Sequence, residues 1–350
     1  MAKNSRIILN VVKWSVGLVG LGRIPVTDEI TSSSLVRTVP GVAVLPQRFF
    51  YILMREVIKM ENTWVYRGSE PVKIKKFLQS LGMGHRLFND IKRGGGSFEV
   101  DHRPVRPTTK ILPNQPLTIK VDPEPADPTV VASSEPLVVA YEDDNWLLVN
   151  KPAGVPSIPG PTTADDTILN RVKGYLVDKK AADQRPHLIT RLDFGTSGLL
   201  LVAKHHVAQS MISRQVENHE LHKQYLALVT GTINNDRGTI NSPLARVPGQ
   251  ARRVVDPDGD PALTEYEVKQ RGNGWTLVRA TLKTGRTHQI RVHFSSIGHP
   301  LLGDKLYGGA ETLINRQALH AASLSFIDPF SGAEKTFTAP LPIDMKNIIG

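Results

Sequence analysis

The chain contains no cysteine in its 350 residues. That excludes disulfides, thiol nucleophiles, iron–sulfur ligation and cysteine-type zinc sites, and it fits a cytosolic protein. No apolar run reaches the roughly eighteen residues that a membrane-spanning helix needs. Lys3, Arg6 and the apolar stretch after Ile7 imitate a signal peptide, but Lys13 interrupts the stretch and no small-x-small cleavage site follows. Motifs of the form G-x-x-x-x-G-K, H-E-x-x-H and G-x-S-x-G are also missing, so P-loop, zinc-protease and serine-hydrolase chemistry fall away.

What is present supports a large core and a polyanionic partner. Hydrophobic residues make up 40% of the chain, enough for one large domain plus a smaller module. The formal net charge is +10, as expected of a nucleic-acid binder. Half of that excess falls in residues 1–59, so nucleic-acid binding elsewhere requires local clustering. Residues 1–59 do not share the pattern of the rest. They read as a disordered extension, or as sequence ahead of a natural start at Met60, with a short amphipathic helix over Tyr51–Met60.

From residue 60 to 121 a small α/β module is expected. Ile74, Phe77, Leu78 and Leu81 stand at helical spacing and Gly82 stops that helix. A second helix over Arg86–Ile91 ends at Gly94-Gly95-Gly96, and short strands follow at Ser97–Val100 and Leu117–Val121. Lys73, Lys75, Lys76, His85, Arg86, Lys92 and Arg93 crowd the helical part, with Arg103 and Arg106 close behind. Such density suits phosphate contact, although a solvated basic face has the same composition. Residues 122–135 read as a stiff linker in which Pro123, Pro125 and Pro128 exclude helix and sheet.

Residues 136–345 read as an α+β body. Strands are expected at Leu137–Ala140, Trp146–Asn150, Leu199–Ala203, Tyr225–Val229, Thr264–Lys269 and Trp275–Leu282. Helices are expected over Ala164–Tyr175, Val207–Glu217 and His288–Ser295, and Gln250–Ala262 reads as a polar hairpin loop. Asp256, Asp258, Asp260 and Glu267 imitate a calcium loop, but Pro261 stands where glycine is required. His288 and His293 lie five apart on a helical spacing and do not share a face as a metal pair would.

The run ITRLDFGTSGLLLVAK, Ile189 to Lys204, places Asp193 two residues after Arg191 and just before a turn. A carboxylate at the mouth of a loop between core elements is where catalytic groups are commonly held. The same carboxylate could close an Asx turn on neighbouring backbone N–H groups. A second dense run, LKTGRTHQIRVHFSSIGHPLLGDKLYGG, spans Leu282 to Gly309, and Gly298, Pro300, Gly303 and Asp304 in it read as a turn under the site. Together with VNKPAGVPSIPG (Val149–Gly160), HKQYLALVTG (His222–Gly231) and PALTEYEV (Pro261–Val268), these runs resemble the RluA family of RNA pseudouridine synthases. The resemblance covers Pro136 to Pro342, five ordered motifs in all, and is closest to the RluD-like group that carries a small N-terminal RNA-binding module. Residues 60–121 resemble that module, which is named after a small-subunit ribosomal protein. One departure is plain: the family histidine before R-L-D is Thr190 here.

The resemblance implies a mixed, largely antiparallel catalytic sheet and an isomerase needing neither cofactor nor metal. It implies Asp193 as the essential carboxylate, Arg291 as its partner, and Tyr225 as the residue that packs on the target base and serves proton transfer. An arginine beside a carboxylate favours the charged form and fixes its direction. Arg191 would help hold the RNA open around a flipped uridine, a role to set against a surface salt bridge. Lys73, Lys76, Arg86, Lys92 and Arg93 would contact RNA. A cytoplasmic, monomeric protein acting on large-subunit ribosomal RNA is expected, with no membrane partner. The alternatives are a transfer-RNA-directed synthase, a catalytically silent RNA binder, and a glycoside hydrolase, which needs two acids flanking the bond.

Overall fold

The computed structural model describes residues 60–160 and 163–350. The readings made for residues 1–59 lie outside them, and Met60 itself opens a strand rather than ending a helix. A first sheet is built from β1 (Met60–Val65), β3 (Gly96–Val100), β4 (Arg103–Val105) and β6 (Pro116–Val121) in the antiparallel order β1-β6-β3-β4. A two-residue pair, β2 (Val72–Lys73) with β5 (Lys110–Ile111), precedes and follows its helices. These are α1 (Ile74–Ser80) and α2 (His85–Asp90). Ile74, Phe77 and Leu78 are buried as their spacing requires, and Gly82, at φ 106°, ends α1.

The second sheet has ten strands. They are β7 (Val139–Glu142), β8 (Trp146–Lys151), β9 (His187–Leu188), β10 (Ser197–Ala203), β11 (His222–Thr230), β12 (Arg237–Asn241), β15 (Leu263–Gly272), β16 (Trp275–Leu282), β17 (Leu319–Ile327) and β18 (Glu334–Thr338). Their path runs β12-β15-β16-β11-β17-β10-β8-β7, with β9 also on β10 and β18 also on β17. Among the described residues β10 and β17 pair in parallel and the remaining ladders are antiparallel. This is the mixed, largely antiparallel sheet that the family resemblance implied.

Side-chain alternation divides the centre of this sheet into two cores. Leu147, Val149, Leu200 and Val202 enter one, whereas Trp146, Leu148, Leu199, Leu201 and Ala203 enter the other. The first core is closed by α3 (Ile168–Asp178), through Ile168, Val172 and Leu176, and by α5 (Gln289–Ser296), through Ile290 and Phe294. Helix α4 (His206–Glu217) faces both ways. Its Ala208 and Ile212 pack on the second core, while Val207 and Met211 belong to the core of the first sheet. Gly82 lies so close to α4 that a Cβ there would stand 2.3 Å from the Met211 carbonyl oxygen. The proline-rich segment has no regular element, but it is tied down. Lys173 donates to the carbonyls of Asp127 and Val130, and His187 pairs with Glu124 at 2.6 Å.

Several boundaries move for identifiable reasons. Helix α3 starts at Ile168 rather than Ala164 because Thr167 and Asn170 form a capping box, and the side chain of Asp166 is taken by Arg171. Strand β7 lies two residues beyond its expected place, with a register shift between Val139 and Tyr141. The stretch read as one polar loop contains β14 (Arg253–Val255), paired with β13 (Leu244–Arg246). Asp256 there accepts from the Asp258 amide as a turn cap, and Glu267 is occupied by Arg279. No helix among the described residues is long and apolar enough to cross a membrane.

Candidate active site

The apolar run of β10 is buried along its whole length, so the chain entering it from β9 must turn at the sheet's edge. That turn carries Asp193. Its carbonyl accepts from the Thr196 amide at 3.1 Å, an ordinary turn bond, and its side chain points instead at Arg291. The Asx alternative is therefore not what this side chain does. Gly198 closes the turn at φ 109°, where a Cβ would stand 2.3 Å from the Ala321 carbonyl oxygen of the parallel neighbour. Only glycine permits that approach. Thr190 accepts from the Leu201 amide at 2.9 Å, so a backbone partner occupies the hydroxyl at the position of the family histidine.

Arg291 comes from α5. Gln289 anchors the start of that helix, accepting from the Arg286 amide and the Thr284 hydroxyl and donating to Leu263 and Thr264. His288 precedes it in the left-handed region at φ 59°, so it is not part of the helix, which runs from Gln289 to Ser296. The imidazoles of His288 and His293 consequently diverge. Nδ1 of His288 meets the Tyr307 hydroxyl at 2.9 Å, and His293 bridges Thr264 and the Ser242 carbonyl.

The guanidinium has two carboxylate partners. Its Nε and Nη2 donate to Asp304 at 2.7 and 2.8 Å, a bidentate fork, and Nη1 donates to Asp193 at 3.1 Å. Asp304 is almost fully enclosed at 1% side-chain exposure, whereas Asp193 keeps 26% and faces the cavity. Burial lowers the affinity of Arg291 for its proton, but the hydrogen bonds and charge of Asp304, then Asp193, outweigh it and hold the guanidinium charged. The expectation that Asp304 only shapes a turn was incomplete. Its backbone does accept from the Tyr307 and Gly309 amides, while its side chain fixes Arg291. The motif around Gly303-Asp304 was visible in the sequence, but nothing in the spacing showed which cation the carboxylate would meet. Both oxygens of Asp304 are engaged on the far side of Arg291, so it does not form the opposed acid pair of a glycoside hydrolase.

Tyr225 enters from β11, opposite Ala280 on β16 and Ala321 on β17, and the β11–β17 register shifts between Gln224 and Tyr225. Such a bulge re-aims a side chain. Burial first and the Asp193 charge second push its phenol up, so it meets a ligand as a neutral hydroxyl. Asp193, Tyr225, Arg291 and Arg191 line one cavity of about 100 Å³, with Lys223, His288 and Leu319. Burial lowers the pKa of Lys223 and of His288, whose Nε2 lies 3.8 Å from Asp193. Lys73, Lys76, Arg86, Lys92 and Arg93 are all exposed, on or beside α1 and α2, and none of them lines that cavity.

Lys151 escaped the sequence reading altogether. It is fully buried at the end of β8, and its ammonium donates to the carbonyls of Pro152, Val155 and Phe194 at 2.9, 2.7 and 3.1 Å. It thus ties the loop after β8 to the loop that holds Asp193. Burial pushes it down to about 7, with Asp193 pulling upward and Arg316 adding to the fall. Away from this site, Glu124, Asp183 and His206 bring oxygen and nitrogen atoms within 4.8 Å of one another. Those atoms already have neighbours within the protein, His206 Nδ1 lying 3.3 Å from Asp183 and Glu124 lying 2.6 Å from His187.

A family model described as RNA pseudouridylate synthase matches residues 145–296, the segment that carries Asp193, Tyr225 and Arg291. The chain is 39% identical over 277 residues to a Bacillus subtilis (strain 168) protein described as "Uncharacterized RNA pseudouridine synthase YjbO", covering 79% of this chain and 98% of that one. It is 38% identical over 229 residues to the "Ribosomal large subunit pseudouridine synthase D" of Xanthomonas campestris, covering 61% and 69% respectively. The structure of human RNA pseudouridylate synthase domain containing 1 superposes with a TM-score of 0.50 at 29% identity, covering 60% of this chain and 85% of that one. With such identity sustained along nearly the whole of a relative, the chain belongs to the RluA family of RNA pseudouridine synthases, enzymes that isomerise uridine in RNA.

Proposed function

We propose that this enzyme modifies uridines of large-subunit ribosomal RNA in the cytoplasm, acting as a monomer with Asp193 as its catalytic carboxylate. The observation that carries the reading is the Asp193–Arg291 contact at 3.1 Å in a cavity shared with Tyr225. The reaction breaks the bond between ribose C1′ and uracil N1, forms one between C1′ and C5, removes a proton from C5 and leaves one on N1. No electrons are exchanged, so one carboxylate, its cation and a proton relay meet the chemical need. Asp193 acts on the ribosyl–uracil unit, and the Arg291 hydrogen bond aims it. Tyr225 packs on the base. As a neutral phenol it serves proton removal only by relay, releasing its own proton as it accepts another.

Arg191 is exposed at the mouth of the cavity and helps hold the RNA open around the flipped nucleotide, a step that costs a few kcal/mol of stacking. Residues 60–121 serve as the RNA-binding module, residues 122–135 link them to the catalytic residues 136–345, and Lys73, Lys76, Arg86, Lys92 and Arg93 contact phosphates. Relatives named as ribosomal large-subunit synthases support the choice of RNA. Mapping pseudouridine in ribosomal and transfer RNA from cells with and without the gene tests it. Sites lost from large-subunit RNA and restored by wild type but not by Asp193→Asn are expected. Losses confined to transfer RNA would overturn the assignment of substrate.

A further inference from the structure

The cavity at Asp193 opens into a longer groove of about 680 Å³ that shares Arg191, Asp193 and Lys223 with it. The residue directly after Asp193 is a phenylalanine, and Phe194 is 61% exposed on that groove, with Ile158 at 40%. Leaving such a ring in water forfeits the free energy of burying it. Among the described residues it joins none of the apolar cores, so the fold does not require it.

The mount of this ring is rigid. The Phe194 carbonyl accepts from the Gly154 amide at 2.9 Å and from the Lys151 ammonium at 3.1 Å, and Arg316 holds the next carbonyl, that of Gly195, at 3.1 Å. A ring held out on a fixed backbone loses little freedom when it is covered. The charge along the groove is one-sided. Arg191, Lys223, Lys283 and Arg286 line it, and Asp193 is the single carboxylate among its lining residues. Lys283 and Arg286 sit at an outer edge, 3.2 Å from Glu265 and 4.0 Å from Asp260.

An exposed ring among cations suits an unpaired nucleic-acid strand, whose bases stack and whose phosphates seek positive charge. Tyr225 and Arg291 lie inside the cavity, where the target uracil must reach Asp193. Phe194 lies outside it, one residue along the chain, where the next nucleotide would pass. We propose that Phe194 is the stacking platform for the base adjoining the target uridine, and that Arg191 and Lys223 flank the phosphate between them. The inference rests on the reading of this site as one that accepts a flipped uridine in RNA.

The test uses the full chain and two twelve-nucleotide probes of equal charge, oligouridylate and the same ribose–phosphate strand without bases. Wild type should bind the oligouridylate more tightly, and Phe194→Ala should lose about tenfold of that preference, within the range for one stacked base. Phe194→Trp should keep it, and the salt dependence of binding should be the same in all three, because the phosphates are unchanged. Thermal melting of each variant establishes that it is folded. Equal binding of the two probes by wild type, or a loss in Phe194→Ala that affects both probes alike, would overturn the platform. Pseudouridine formation on cellular RNA is scored separately: its absence in wild type defeats the catalytic reading whatever the probes show.

Discussion

Asp193 and Asp304 share one guanidinium but are not equivalent. Asp304 has both oxygens engaged and almost no exposure, while Asp193 meets a single N–H and faces the cavity. Asp193→Asn should therefore abolish turnover and leave RNA affinity nearly unchanged. Turnover within about tenfold of wild type, only 1.4 kcal/mol in the barrier, would remove Asp193 from the mechanism. Asp304→Asn acts at one remove. It strips the anchor from a buried cation, an event that costs about 3–5 kcal/mol of stability in comparable pairs. The melting temperature and kcat should fall together with little change in KM; a change in KM alone would mean that Asp304 contacts the RNA instead. Arg291→Lys keeps the charge, but one ammonium cannot hold the fork on Asp304 and also reach Asp193. It should retain part of the activity and Arg291→Ala far less. Equal losses in the two would show that charge contributes nothing.

At the level of elements, α4 explains why the first sheet and the catalytic sheet cannot be treated as separable parts. Val207 and Met211 complete the core of the first sheet, and the Gly84 amide donates to Ser210 at 3.0 Å across the same contact. Removing residues 60–121 would expose an apolar helix face, so their share in RNA binding is better measured by charge. Replacing Lys73, Lys76, Arg86, Lys92 and Arg93 with glutamine should weaken RNA binding and flatten its salt dependence, as fewer phosphate contacts release fewer counterions. An unchanged slope would mark those side chains as a solvated face. Gly82→Ala should destabilise the protein by more than the roughly 1 kcal/mol of an ordinary glycine exchange, since strain at φ 106° adds to the collision with Met211. Denaturant melts would show this. Stability equal to wild type would mean that the helix pair can part without cost.

The whole molecule should be acid-sensitive before its carboxylates titrate. Burial pushes His205 down to about 4 and also lowers His288, His293 and His320. In the unfolded chain each titrates near 6.5. Below that pH the unfolded state binds protons that the native state refuses, so stability falls as pH drops from about 6.5 toward 4. His205 also caps α4, its Nδ1 accepting from the Ala208 amide, and a proton there breaks the cap. Thermal melts from pH 7.5 to 4.5 should decline through this window, and His205→Asn, which keeps a capping acceptor, should reduce the slope. A melting temperature flat down to pH 5 would contradict the neutral state of these imidazoles.

The sequence by itself determined whatever depends on short-range periodicity and local backbone limits. The apolar run Leu199–Ala203, the helix stop at Gly82, and the turn that carries Asp193 were all legible, because each rests on residues within a few positions of one another. The family motifs also singled out Asp193, Arg291 and Tyr225, which the structure brings to one cavity. Tertiary structure alone decided what joins distant segments. Arg291 meets Asp193 across 98 positions, and it meets Asp304 because the chain turns back after α5. A register shift beside Tyr225, the two faces of α4, and the carbonyl cage around Lys151 also come from pairing between elements. Periodicity tells which side of an element is apolar, but only the docking of sheets and helices settles which charged groups finish within reach of each other.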